Sequence, residues 1–150
     1  MKIYLGADHA GFEYKEQIKE YLIKEQYDVI DCGAYIFDTS DDYPDFINKV
    51  GENVGKNIGS YGIIFGKSGA GECIVANKYK GARAFLAINE KNVKLARTDN
   101  DANIISFGSE IVSLQEAKNL IKLFLETPFS QEERHIRRIN KIKELENKCN

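Results

Sequence analysis

The sequence predicts an α/β fold: a five-stranded parallel, Rossmann-like sheet in a three-layer α/β/α sandwich, with an extended helix at the carboxyl end. Three observations predict it. Strand-like and helix-like segments alternate along the chain. The segments between strands are long enough for βαβ crossovers, which make the sheet parallel. The strands are nearly continuous apolar runs, as expected where helices cover both faces of a sheet.

Each element has its own signal. Residues 2–7 form a short apolar run, read as the first strand. Residues 12–26 carry Phe12, Ile18, Tyr21 and Leu22 near helical spacing. Residues 28–32 are a second strand ending at Gly33, and 34–43 a polar loop closed by Pro44. Residues 45–58 place Phe46, Ile47, Val50 and Val54 on one helical face. A third strand over 61–66 leads to a helix over 72–79, and a fourth over 82–87 to a short helix over 92–98. A fifth strand over 104–108 precedes a helix over 113–126, which Ser113 is suited to cap. Residues 130–148 are highly charged, with Ile136, Ile139, Ile142 and Leu145 at three-residue spacing. That thin apolar stripe suits a helix packed on a partner subunit, and equally a solvated surface helix.

Length and composition exclude several classes. A chain of 150 residues fits one domain, 1–150, with a real core. A formal charge of -2 gives no electrostatic case for nucleic acid or an anionic membrane. No apolar stretch is long enough to span a bilayer, and the start of the chain carries no secretory pattern, so a cytoplasmic location is expected. Cys32, Cys73 and Cys149 are odd in number and widely spaced, which fits reduced thiols rather than a disulfide framework or a zinc site.

The most informative segment is the run Gly66-Lys67-Ser68-Gly69-Ala70-Gly71-Glu72 between the third strand and its helix. Its glycines let the backbone approach a bound molecule closely. The first amides of the following helix have no internal partner and face whatever occupies the loop. Glu72 in that first turn sets a base beside a possible anion hole. The run is not a P-loop, which needs Lys-Ser or Lys-Thr after its last glycine. Nor is it a dinucleotide fingerprint, which follows the first strand. The plain alternative is a glycine turn that only lets the chain reverse.

Asp8-His9 follows the first strand and joins two acid–base residue types; the alternative is a turn in which Asp8 caps the next helix. Cys73 is a rival nucleophile, though a small buried residue is its simpler reading. Arg134, His135 and Arg138 share a helical face by spacing, which suits phosphate or a basic surface patch. The segments 6–11, 66–72 and 100–103 are expected beyond the carboxyl ends of the strands, converging on one crevice.

Taken together, Gly6-Ala7-Asp8-His9-Ala10-Gly11, Asp42-Tyr43-Pro44-Asp45, Gly66 to Lys78, Gly81-Ala82-Arg83-Ala84, Asn100-Asp101-Ala102-Asn103 and Arg134-His135-Ile136-Arg137-Arg138 resemble the type B ribose-5-phosphate isomerases and the related galactose-6-phosphate isomerase subunits. The resemblance covers essentially the whole chain, in order. It implies interconversion of aldose and ketose phosphates with no metal or other cofactor. It also implies a homodimer or homotetramer whose active site is completed by a second subunit. One branch of the family uses a cysteine base at the position of Gly66; the other uses a glutamate, which makes Glu72 the expected base. Asn100 and the amides around Ser68, Gly69, Ala70 and Gly71 are then the enediolate donors. Asp8, His9, Tyr43, Gly66 and Lys67 line the sugar site; Arg134, His135 and Arg138 serve the phosphate.

Three departures stand out. Asp99 replaces a histidine assigned to ring opening, so Asp99, His9 or spontaneous opening must serve. Glu110 replaces a phosphate-binding arginine, and Lys67 replaces a glycine and offers a compensating charge. The expected substrate is ribose 5-phosphate; a six-carbon sugar phosphate, or sugar-phosphate binding without catalysis, are the alternatives.

Overall fold

A computed structural model describes residues 1–148; Cys149 lies outside them. The strands β1 (Lys2–Ala7), β2 (Asp28–Asp31), β3 (Tyr61–Gly66), β4 (Ala84–Leu86) and β5 (Ile104–Gly108) form one sheet in the order β2-β1-β3-β5-β4. Every pairing is parallel. The helices are α1 (Phe12–Lys24), α2 (Pro44–Lys56), α3 (Ala70–Ala76), α4 (Glu90–Asn100), α5 (Leu114–Glu126) and α6 (Glu133–Lys148).

Alternate residues of each strand face opposite layers. Ile3, Leu5, Ile63, Phe65, Ile105 and Phe107 pack with Ile18 and Leu22 of α1, Val93 of α4 and Leu120, Ile121 and Phe124 of α5. Tyr4, Ile64 and Ile104 pack on the other face with Ile47, Val50 and Val54 of α2 and Ala76 of α3. Each large side chain so buried contributes about 1.5–3 kcal/mol. The expected three-layer sandwich is therefore present.

Capping explains several element ends. Ser113 accepts the Glu116 N–H and starts α5 as expected. Asn89 does the same for Asn92, so α4 begins at Glu90, earlier than apolar spacing suggests. Asp101 adopts a left-handed conformation (φ 46°) and ends α4. Pro44 opens α2, where its missing N–H is harmless. The α3 helix is only 70–76 rather than 72–79, because residues 77–81 turn back toward β4.

The sheet has a switch point between β1 and β3, where the chain turns outward in opposite directions. The loops after β1 and β3 therefore border one crevice at the carboxyl ends. Segment 100–103 does not join them. It follows α4, which runs antiparallel to the strands and returns the chain to the amino end of β5. Hydrogen bonds from Gly62 N–H to Asn103 O, and from Asn103 N–H to Arg83 O, fix it there. The expected convergence of three segments is thus corrected to two.

The α6 helix packs on α4 of its own chain and buries His135 and Ile139. Ile142 and Leu145 further along the stripe stay exposed.

Candidate active site

The site is built on Gly66, the last residue of β3. A Cβ there would collide with the Glu72 carboxylate, so the carboxylate occupies the space a side chain at 66 would need. Gly69 has φ +77°, and a Cβ on it would come 2.7 Å from Leu86 and 2.8 Å from the Phe107 backbone. That turn brings α3 back over the strand end with Glu72 in its first turn. The buried Ser106 hydroxyl donates to Gly69 O at 2.7 Å and pins the loop to β5.

Glu72 is 4% exposed. Burial raises its pKa above the ordinary carboxyl range and repulsion from Asp8 adds to this, against a hydrogen bond from its own amide. A carboxylate held this way is a stronger base than a free one. Above it, the Tyr43 ring lies against Gly71, where a Cβ would come 2.8 Å from the ring carbon bearing the hydroxyl. Ser68 Oγ accepts the Ala70 N–H, while the N–H groups of Gly69 and Gly71 have no partner among the described residues. These two amides are unpaired donors in the loop that leads to Glu72.

Asp8 stands at the end of β1, 7% exposed, with Oδ1 accepting the N–H groups of Ala10 and Gly11. It therefore shapes the turn before α1 without capping the helix, whose N-cap is Gly11 with no side-chain cap, and it still faces Glu72 electrostatically. His9 follows it with Nδ1 2.6 Å from Asp41 Oδ1. The hydrogen bond to Asp41 raises the His9 pKa, with help from the charges of Asp8, Asp41 and Asp38. Asp8, His9 and Asp41 offer ligand atoms within 4.8 Å of one another, the one grouping among the described residues with the spacing of a metal site. The 109–112 turn is tied in by Ser109, whose hydroxyl donates to Ala10 O.

Cys73 sits beside Glu72 but is partly buried; burial and the Glu72 charge raise its pKa, leaving a protonated thiol. The buried Cys32 thiol is pushed up to about 11. Lys67 and Glu110 face each other on the rim at 3.6 Å, both largely exposed. The two departures at these positions thus form one loose ion pair.

The remaining candidates lie at the other end of the sheet. Asn100 ends α4, and its carbonyl accepts from Arg83 Nε. Asp99 accepts from the Thr98 hydroxyl and lies 3.7 Å from His135 Nε2. His135 is turned into its own chain, 3% exposed, while Arg134 and Arg138 are exposed. A six-residue strand spans about 16 Å, so these groups are far from Glu72 of the same chain. A cavity of about 760 Å³ is also at this end, but Arg83 and Arg97 in its wall are already paired with Asp101. The buried carboxylate of Glu72 lies at the opposite end from this cavity.

Sequence reasoning missed Asp41, Ser106 and Ser109. Nothing in their spacing marks them, because each acts through a partner brought near only by the fold.

The chain is thus an α/β sandwich with a buried carboxylate, Glu72, and unpaired loop amides at its switch point. The family model described as Ribose/Galactose Isomerase matches residues 3–142, and the chain belongs to that family. It is 43% identical over 146 residues to the ribose-5-phosphate isomerase B of Mycobacterium leprae, covering 97% of this chain and 90% of that one. Among solved structures, the ribose-5-phosphate isomerase B of Clostridium thermocellum superposes with a TM-score of 0.94 at 39% identity, covering 100% of both chains. The enzyme from Mycoplasma genitalium with bound ribulose-5-phosphate gives 0.93 at 39% identity, over 97% of this chain and 96% of that one. No helix among the described residues is long and apolar enough to cross a membrane.

Proposed function

We propose that this protein interconverts ribose 5-phosphate and ribulose 5-phosphate, with Glu72 as the general base. The observation that carries the role of Glu72 is its carboxylate, buried at the switch point in the space above Gly66 with its pKa raised. The relative with ribulose-5-phosphate bound supports the substrate class. Relatives of comparable identity carry the five-carbon name, so nothing favours the six-carbon alternative.

The sugar binds as a ring and opens. Glu72 takes the proton from C2, leaving an enediolate, and returns it to C1 to give the ketose. The N–H groups of Gly69 and Gly71 receive the developing negative charge, within reach of the Ser68 hydroxyl. Asp8, His9 and Tyr43 hold the sugar, with Lys67 at the rim. Asn100, Asp99, Arg134 and Arg138 serve the site of a second copy, since they sit at the opposite end of their own sheet. His135, buried in its own chain with no hydrogen-bond partner for Nε2 among the described residues, packs beside the end of α4 rather than touching phosphate. The chain, 1–150, acts as one catalytic domain, at work as at least a homodimer in the cytoplasm, in pentose phosphate metabolism.

The test is conversion of ribose 5-phosphate by purified protein in chelator, beside Glu72→Gln. The parent turns over, and the variant loses about 10²–10⁴-fold in kcat. A parent inert on ribose 5-phosphate would overturn the substrate; a Glu72→Gln variant with near-parent kcat would overturn the base.

A further inference from the structure

The carboxyl-end crevice contains one imidazole, and a carboxylate from outside the loops already described controls it. His9 is bound twice by the same oxygen: its backbone N–H donates to Asp41 Oδ1 at 3.0 Å, and its ring Nδ1 lies 2.6 Å from that atom. Fixing main chain and ring on one acceptor leaves the imidazole little freedom to rotate. The Asp41 side chain is 9% exposed, and its Oδ2 is buried without a hydrogen-bond partner. A buried carboxylate with one oxygen unsatisfied is destabilising unless a nearby cation offsets it. Among the described residues the His9 ring is the only cationic partner Asp41 has.

The ring is one-third exposed, and Nε2, on the side away from Asp41, makes no hydrogen bond. The charged groups facing His9 are all acidic: Asp8 from the end of β1, and Asp38 and Asp41 from the segment between β2 and α2. Glu72 stands beyond Asp8. Among the described residues, the charges acting on His9 are thus all negative, and Lys67 on the rim is paired with Glu110. For an anionic sugar phosphate, a charged His9 adds a cation to the arginines a second copy would bring.

We propose that Asp41 is a positioning residue: it fixes His9 with the proton on Nδ1 and presents Nε2–H to the crevice as a charged hydrogen-bond donor to an anionic oxygen of the substrate. The inference rests on the isomerase reading for the identity of that substrate. The raised His9 pKa agrees with the geometry, since the Asp41 hydrogen bond is its largest cause. The folded-state pKa lies above the ordinary value, so the charge is complete at low pH and is lost as pH rises through the raised value. Removing the Asp41 charge lowers that point and uncharges the donor at a lower pH.

The experiment combines an imidazole titration by NMR, without substrate, with steady-state kinetics of parent, Asp41→Asn, His9→Gln and the double variant. His9 and His135 are the only histidines, and His9→Gln assigns the signals. In Asp41→Asn the His9 titration moves down toward its ordinary value. Its KM rises about ten-fold at about pH 8, near-parent KM returns at about pH 6, and kcat stays within about two-fold. In the His9→Gln background Asp41→Asn has no further effect on KM. A His9 titration unmoved by Asp41→Asn overturns the inference. So does a KM change equal at both pH values and accompanied only by a lower Tm, which is the mark of a merely structural carboxylate. If Asp41→Asn fails to fold, His9→Gln decides alone: it must flatten the pH dependence of KM, and a dependence like the parent's overturns the inference. Parent turnover is recorded in the same series. An inert parent overturns the isomerase reading and leaves the titration readable, whereas an active parent with an unmoved titration removes only the role of Asp41.

Discussion

The two ends of the sheet hold their functional groups differently. At the carboxyl ends Glu72 and Asp8 are buried, and the backbone around them is tied by Ser106, Ser109 and Asp8 itself. At the amino ends Arg134 and Arg138 project into solvent, and Arg134 makes only an exposed pair with Glu132 at 2.8 Å. The difference teaches what each end must do. Under the proposed mechanism, proton transfer by Glu72 needs a base held within a few tenths of an ångström and desolvated, which matches the completeness of that half. Under the same proposal, phosphate binding by Arg134 and Arg138 needs long, charged side chains that reach another surface, which matches the openness of that half. An exposed arginine contributes little to folding, and its value is realised only when a dianion arrives.

The largest effect that sharpens this contrast is expected at Gly66. A Gly66→Ala methyl competes with the Glu72 carboxylate for one volume, so the base is displaced while Tyr43 and the loop remain. A fall of about 10²-fold in kcat is expected, with KM moving much less, as steady-state kinetics would show. Normal kcat in Gly66→Ala would mean that the close packing of Gly66 and Glu72 has no catalytic meaning.

A smaller effect concerns pH. Glu72 has a raised pKa in the folded state, so protonation favours folding. Its contribution to stability is present below the unfolded pKa and is lost as pH rises through the folded value. Two outcomes follow. The acid limb of kcat falls above the pH expected for an ordinary glutamate, because only the carboxylate is a base. In thermal melts, Glu72→Gln melts higher than the parent at neutral pH, and the gap closes in acid. A Tm below the parent's at neutral pH would contradict the desolvation that tunes the base.

The smallest effect is at the neighbouring thiol. Cys73→Ser is expected to keep kcat within about two-fold, since a protonated, partly buried thiol takes no part in proton transfer. A large loss would move the base from residue 72 to residue 73.

Much of this was legible in the chain. Apolar runs located every strand, and the glycine run singled out Glu72 as the proposed base, because backbone approach and helix-start amides are local properties. The 100–103 segment was misplaced for an equally physical reason. Its polar, turn-forming residues look like those of a ligand loop, and only the direction of α4 shows which end of the sheet they reach. His135 shows the same limit: spacing puts it within a turn of Arg134 and Arg138, yet packing against the α4 end turns it inward. Asp41 depends on a loop path that no periodicity encodes.

The most direct test of a site divided between the two ends is complementation. Glu72→Gln and the double variant Arg134→Ala/Arg138→Ala are each nearly inactive when expressed alone. Co-expressed, they form mixed dimers in which one of the two sites has both an intact base and intact arginines. Recovery to roughly a quarter of parental turnover is expected for random pairing. Mixed dimers, verified by differently tagged subunits, that stay as inactive as either variant alone would contradict a site shared between copies.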